Sequence, residues 1–321
     1  FYDAVAFTHL DRDHIKGSTS FFWLEHSKEY QSDDRIKINL MWVPAAVITE
    51  DNEEMDEEAK IRQKEARHRF KAGERIRVFS RPQRLKDWCK NNGVDFEKRK
   101  HLVTDAGWCA PDFSLLVDGV EFFVHSPFAK RLDETNVEDR NSDSIVMQAK
   151  FLVGQIETKV LLMADTIQDR LSDIVDITKY HGREARLEWD VVKLPHHCSY
   201  LSLAPTGEKG KDKTEPLENI KWLYEEQRQP GGVIVSTSWP IPLKGTKEDD
   251  VNDPPHRQAA NYYKEDVVDN PDAEFLVTMS HPNDAAPKPL VIDIDGTKAT
   301  VRKRALTASV IATSRPAPRA G

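Results

Sequence analysis

The chain has 321 residues, 39% hydrophobic and 31% charged, with 54 acidic against 46 basic side chains and a net charge of −8. That length suits one large packed domain, or one domain with insertions, and the acidic balance argues against a protein that coats nucleic acid, although bound cations would invert the field locally. No run approaches the roughly 20 apolar residues of a membrane helix, and Cys89, Cys109 and Cys198 form no C-x-x-C pair, which points away from a cysteine zinc site and toward a reducing, cytoplasmic setting.

Residues 3–8 read as a short buried strand that ends at a polar cluster, 8–14, and residues 17–25 as the start of a helix. No basic segment followed by an apolar one opens the chain; because residues 1–7 already read as strand, the true start is expected upstream. A second strand is expected over 36–43. Residues 49–75 carry acidic side chains first and basic ones after, as a helix dipole favours, and read as a solvated surface helix inside an insertion. A helix over 84–91 closes at Gly93. Strand-like runs follow at 113–117, 120–124, 144–152 and 159–163, then a helix over 167–178 and a short strand over 191–194. Residues 205–215 are a polar loop, 217–227 a helix, 232–236 a strand and 256–263 a helix. Closing strands fall at 275–279, 290–294 and 300–302, the last two joined through Asp295-Gly296. The tail, 303–321, has the composition of a disordered segment. This order predicts a layered α/β or α+β protein.

Three strand ends carry metal-ligand chemistry. The first is Thr8-His9-Leu10-Asp11-Arg12-Asp13-His14. A loop at a strand end can aim such side chains at one point, which regular periodicity at this spacing cannot. Imidazole with carboxylate suits Zn, Mn or Fe; alone, the cluster reads equally as a polar turn with an Asp helix cap. The second is Asp165 after Leu161-Leu162-Met163-Ala164, which alone reads better as a cap. The third is Pro195-His196-His197 after a short apolar strand. In combination they point to two divalent ions about 3.5–4 Å apart sharing a carboxylate.

The order H-x-D-x-D-H, strand-end Asp, P-H-H-x-S resembles metallo-β-lactamase-fold hydrolases, and most of all the hydrolase domain of bacterial DNA-uptake (ComEC-type) proteins and its free-standing relatives. Phe123-Val124-His125-Ser126-Pro127, Asn141 through Val146, and Gly232 to Ser238 followed by Pro255-His256 add weaker likenesses. The resemblance implies a hydrolase domain over 1–302 with an insertion at about 26–110, and a four-layer αβ/βα sandwich whose usual N-terminal hairpin is missing. It implies His9 and Asp11 on one metal, Asp13, His14 and one of His196 or His197 on the other, and Asp165 bridging. Asp11 stands where many relatives carry His, and Cys198 where Gly is usual; a thiol there is close enough to meet a metal. His125 could complete the first metal's shell, but reads better as a residue that packs or supports a ligand. His256 is expected to meet substrate or to back a ligand. His26, His68, His101, His181 and His281 read as surface residues; Lys193 could meet an anionic substrate but reads better as a solvated lysine beside a strand.

The implied activity is hydrolysis of a phosphodiester, in nucleic acid or a smaller molecule, with two Zn or Mn ions and with Asp13 both ligating and orienting the attacking water. The fold hosts many chemistries, so a small ester, lactone or thioester is the alternative substrate. A non-catalytic interaction module that docks through the charged insertion is the alternative of another class. No protein partner is legible.

Overall fold

The computed structural model describes residues 1–51, 55–128, 140, 141, 143–268 and 272–302. The tail expected to be disordered lies outside them. The protein is mixed α/β, with a parallel and a mixed sheet. It divides into two compact units, Phe1–Pro111 with Val124–Val146, and Asp112–Phe123 with Met147 onward. Among the described residues, no helix is long and apolar enough to cross a membrane.

The first unit carries a four-stranded sheet in the order β1 (Tyr2–Ala6), β2 (Ile38–Pro44), β3 (Ile76–Phe79), β4 (Val103–Thr104), every pair parallel. Parallel neighbours need crossovers: the short helices Arg12–Ile15 and Ser18–Phe21 lie in the one from β1 to β2, Ala45–Thr49 and Glu57–Ala72 in the one from β2 to β3, and Gln83–Asn91 in the one from β3 to β4. Because all four strands run the same way, the loops after them share one sheet edge, where open parallel sheets bind ligands. The segment with Thr8 to His14 follows β1 on that edge.

Residues 26–110, expected as an insertion, contain β2, β3 and β4, which complete the sheet. The charged helix also differs from its expected solvated role. Helix Glu57–Ala72 buries Ala59, Arg62, Gln63, Glu65, Ala66, Arg69 and Phe70, a helical stripe at the usual spacing with charges in core positions. Those charges are bonded. Glu58 accepts from the Gly17 N–H and the Thr19 hydroxyl. Arg62, fully buried, donates to Ser18 Oγ at 2.7 Å and lies 4.3 Å from the Phe7 ring centroid; burial lowers its pKa to about 10. Arg69 donates to the carbonyls of Ile38 and Arg75. Glu65 accepts from the backbone N–H groups of Glu25 and His26, from the His26 ring at 2.8 Å and from Arg69 at 2.7 Å, so His26 is no surface residue.

The second unit carries a six-stranded sheet in the order β10 (Glu274–Val277), β9 (Arg228–Ser236), β8 (Trp189–Lys193), β7 (Ile156–Met163), β6 (Val146–Val153), β5 (Val120–Ser126). The division between units falls inside β5 and β6. Strands β7, β8, β9 and β10 are parallel, and the two-residue connection at Gly154 and Gln155 makes β6 and β7 a hairpin. A closing hairpin of β11 (Ile292–Ile294) and β12 (Ala299–Val301) packs Val301 against Val191, Val233 and Val235. Trp189, fully buried, donates its indole N–H to the Leu223 carbonyl and so ties β8 to helix Glu218–Glu225. The run 113–117, expected as a strand, is instead a turn of helix over Leu115–Asp118 closed by Gly119 at φ 72°, with Leu116 and Val117 exposed.

Glu65 ties stability in the first unit to pH. Burial alone would raise its pKa; the His26, Glu25 and Arg69 hydrogen bonds outweigh it and bring the group from 4.5 to about 2. A carboxylate with a depressed folded pKa contributes stability above its unfolded value, and that contribution is lost as pH falls from 4.5 toward 2. Glu65→Gln is expected to cost on the order of 3 kcal/mol at pH 7, with the deficit shrinking toward pH 3. Denaturant unfolding at the two pH values measures it, and an equal deficit at both would contradict a charged Glu65.

Candidate metal centre

The loop after β1 begins with Thr8, whose Oγ1 lies 3.0 Å from His9 Nδ1. His9 is 2% exposed. Its Nε2 lies 3.7 Å from Asp11 Oδ2, and its ring centroid 4.1 Å from that of His14. Asp11 takes the backbone position of a helix cap before Arg12–Ile15, but its side chain makes no capping bond. Arg140 Nη1 donates to its Oδ1 at 2.9 Å instead. Asp13 and His14 fall within that helical turn, with Asp13 Oδ2 3.7 Å from His14 Nε2.

Asp165 follows β7 directly and is 2% exposed. The next parallel strand, β8, runs into Leu194-Pro195-His196-His197-Cys198. Here the backbone does something that residue identity does not announce. His196, His197 and Cys198 all take left-handed conformations, at φ 45°, 51° and 67°. Each costs a non-glycine residue roughly 1–2 kcal/mol, and such strain persists only where the surroundings over-determine it. They do: the His196 N–H donates to the Ala164 carbonyl, the Ser199 N–H to the His196 carbonyl, and the His256 N–H to the Cys198 carbonyl. His197 Nδ1 lies 2.8 Å from the Thr237 carbonyl. A carbonyl only accepts, so Nδ1 carries a proton, and Nε2 is the nitrogen turned to a would-be ion, the usual orientation of a metal-binding imidazole. That Nε2 lies 3.2 Å from Asp165 Oδ2.

Asp13 and His14 of the first unit, and Asp165 and His197 of the second, each offer one ligand atom. This His/Asp group could hold a metal ion, and two imidazoles with two carboxylates are a fitting donor set for Zn or Mn. Among the described residues, His9, Asp11 and His196 are not members of such a group.

Other side chains stand differently from expectation. His256 is 5% exposed, with Nε2 3.0 Å from the Asn252 carbonyl and Nδ1 accepting from the Tyr200 N–H at 3.4 Å. Burial lowers its pKa, so the neutral ring is used on both nitrogens within its own surroundings, and a direct substrate contact does not follow. His125 is buried near the end of β5. Lys193 is not solvated: its side chain is 22% exposed, and Nζ donates to the Ala164 carbonyl at 3.3 Å and lies 3.9 Å from Asp165 Oδ1. Sequence reasoning missed Thr237 and Arg140, which lie outside the three strand-end motifs and gave no signal there.

Compared with protein-family models, with curated proteins and with solved structures, the chain matches none of them.

The Cys198 thiol is buried and pushed up to about 12, by burial first, against the opposing influence of Lys264 and a Ser236 hydrogen bond. Cys198 is not a member of the His/Asp group. Cys198→Gly relieves the left-handed strain but adds unfolded-chain entropy. Stability is expected to move by no more than about 1 kcal/mol, with metal affinity unchanged. Metal titration of the variant checks this, and a lost equivalent would mean that the sulfur binds.

Proposed function

We propose that this chain is a metal-dependent hydrolase of the metallo-β-lactamase fold that cleaves phosphodiesters. The observation that carries the reading is the His/Asp group of Asp13, His14, Asp165 and His197, which could hold a metal ion. The strand order supports the fold: a parallel sheet whose first strand leads into the histidine and aspartate motif, and a mixed sheet with Asp165 after β7 and His197 after β8. An ion bound there supplies Lewis acidity and an acidified water near neutral pH. The two carboxylates balance a divalent charge, and the Thr237 carbonyl holds the His197 ring with Nε2 facing Asp165. Asp13, the more exposed carboxylate at 38%, is placed to accept a proton from an attacking water. The Lys193 ammonium beside Asp165 suits an anionic substrate, which favours a phosphodiester over a neutral ester, lactone or thioester. Nucleic acid is the phosphodiester that the family resemblance implies. Cys89, Cys109 and Cys198 are free thiols, which fits a cytoplasmic setting.

The test is metal content of the purified protein, then hydrolysis of an activated phosphodiester with Mn and with Zn. Asp165→Ala is expected to lower metal occupancy and turnover together, each by at least about tenfold, since even residues behind a ligand are worth that much. A variant that keeps both would refute the site. Metal binding with turnover of esters alone would move the substrate class, and binding with no turnover would leave an interaction module.

A further inference from the structure

The carboxyl edge of the first unit's sheet carries a second feature, wholly within that unit. Beyond the ends of β3 and β4 lies a cavity of about 360 Å³ lined by Arg81, Lys86, Phe96, Glu97, Lys100 and Asp105. That is the size of a small-molecule site, and open parallel sheets place such sites at this edge. The strand ends build it. Ser80, the residue after β3, is buried and left-handed at φ 66°, and its N–H donates to the Thr104 carbonyl of β4 at 2.9 Å. Strain of this kind gathers at ligand sites and persists where the surroundings over-determine it. The turn sets Arg81 beside Asp105, the residue after β4. Arg81 Nε donates to Asp105 Oδ2 at 2.7 Å, and Nη2 donates to the same oxygen. Asp105 Oδ1 has no hydrogen-bond partner among the described residues. The ammonium of Lys86, on helix Gln83–Asn91, has none among them either. Lys100 Nζ lies 3.5 Å from Glu97 Oε2, with both side chains well exposed, and so loose a surface pair is readily shared with a ligand.

This lining sets three requirements on an occupant. Three cations against two carboxylates give the cavity a positive balance, which suits an anion and not a metal ion. Arg81 is held by Asp105, so Lys86 and Lys100 are left to meet the charge. The uncommitted Asp105 oxygen calls for a hydroxyl or amine donor, because an ionised carboxylate only accepts. Phe96, partly buried against the core of the unit, supplies an apolar aromatic wall, the kind of surface on which a base stacks. Inorganic phosphate would answer the first requirement alone. From this geometry we infer that the cavity binds a nucleoside monophosphate unit, with its phosphate on Lys86 and Lys100, a ribose hydroxyl on Asp105 and its base against Phe96. The unit is either a free nucleotide or the end of a strand. The inference goes beyond the proposed function and does not depend on the metal centre.

Isothermal titration calorimetry on the full chain tests it, with AMP, 2′,3′-dideoxy-AMP, adenosine, ribose 5-phosphate and inorganic phosphate as probes. The wild-type protein is expected to bind AMP at least about tenfold tighter than each of the others. Lys86→Ala is expected to weaken AMP by about tenfold and to leave adenosine unchanged. Phe96→Leu, which keeps the core filled, is expected to weaken AMP by about five- to a hundredfold and to leave ribose 5-phosphate unchanged. Asp105→Asn is expected to abolish the preference for AMP over its dideoxy analogue. Asp165→Ala, at the candidate metal centre, is expected to change none of these affinities. A 5′-phosphorylated oligonucleotide that binds tighter than AMP assigns the cavity to a strand end, and one that binds no tighter assigns it to the free nucleotide; both results support the inference. Inorganic phosphate binding as tightly as AMP would reduce the cavity to an anion site and overturn it. AMP binding lost in Asp165→Ala, or kept in full by both Lys86→Ala and Phe96→Leu, would place the nucleotide elsewhere and overturn it too. A folded wild-type protein that binds no AMP at millimolar concentration would end the inference while leaving the metal-centre reading intact.

Discussion

A charge taken out of water must be met by a partner, and in the first unit that requirement falls on one helix. Glu57–Ala72 turns Arg62, Glu65 and Arg69 inward, and each reaches a group on another segment: the Ser18 hydroxyl, the Glu25 and His26 amides, the Ile38 and Arg75 carbonyls. Glu58, Gln63 and Arg67 extend the same hold to Gly17, Thr19, Ile48 and Glu50. Most of these are loop or strand-end groups that no sheet ladder would satisfy. The helix therefore fixes the turn that follows the histidine and aspartate motif, and Glu50, whose carboxylate pairs with Arg140.

In the second unit a different device serves the same end. Strands β7, β8 and β9 run parallel as neighbours, so their carboxyl ends lie side by side. Asp165 leaves the first, the His196-His197 turn the second, and the Thr237 carbonyl the third. Each strand contributes one part of a single arrangement of acid, imidazole and acceptor. Lys193, the last residue of β8, adds a cation to it.

Much of this was legible beforehand. Short apolar runs ending in His or Asp marked β1, β7 and β8, because strands buried in a parallel sheet read as continuous apolar segments. What stayed hidden has physical causes. The buried stripe of Glu57–Ala72 carries charges where a pattern reader seeks leucines, so its amphipathicity is invisible. Strand β3 is four residues, all buried, with Arg77 among them, too short and too polar to stand out. Residues 113–117 show a strand's apolar density, yet Leu116 and Val117 face solvent in a turn. Within the site, ligand types were readable but membership was not. Asp11 and Asp13 are chemically alike, and nothing in the motif announces that Asp11 meets an arginine 129 residues away in sequence. The choice of His197 over His196 depends on backbone torsions that no side chain dictates.

Those torsions bear on how portable the motif is. The direction of the His197 ring is written in three successive left-handed residues and in the hydrogen bonds that hold them. Copied onto a regular strand-to-helix turn of another protein, Pro-His-His would keep its composition and lose its aim, because the foreign backbone would relax to negative φ and carry both imidazoles elsewhere. The smallest transplantable piece is therefore larger than the signature: the three parallel strand ends together, with the Ala164 and Thr237 carbonyls as the fixed points on which the loop hangs.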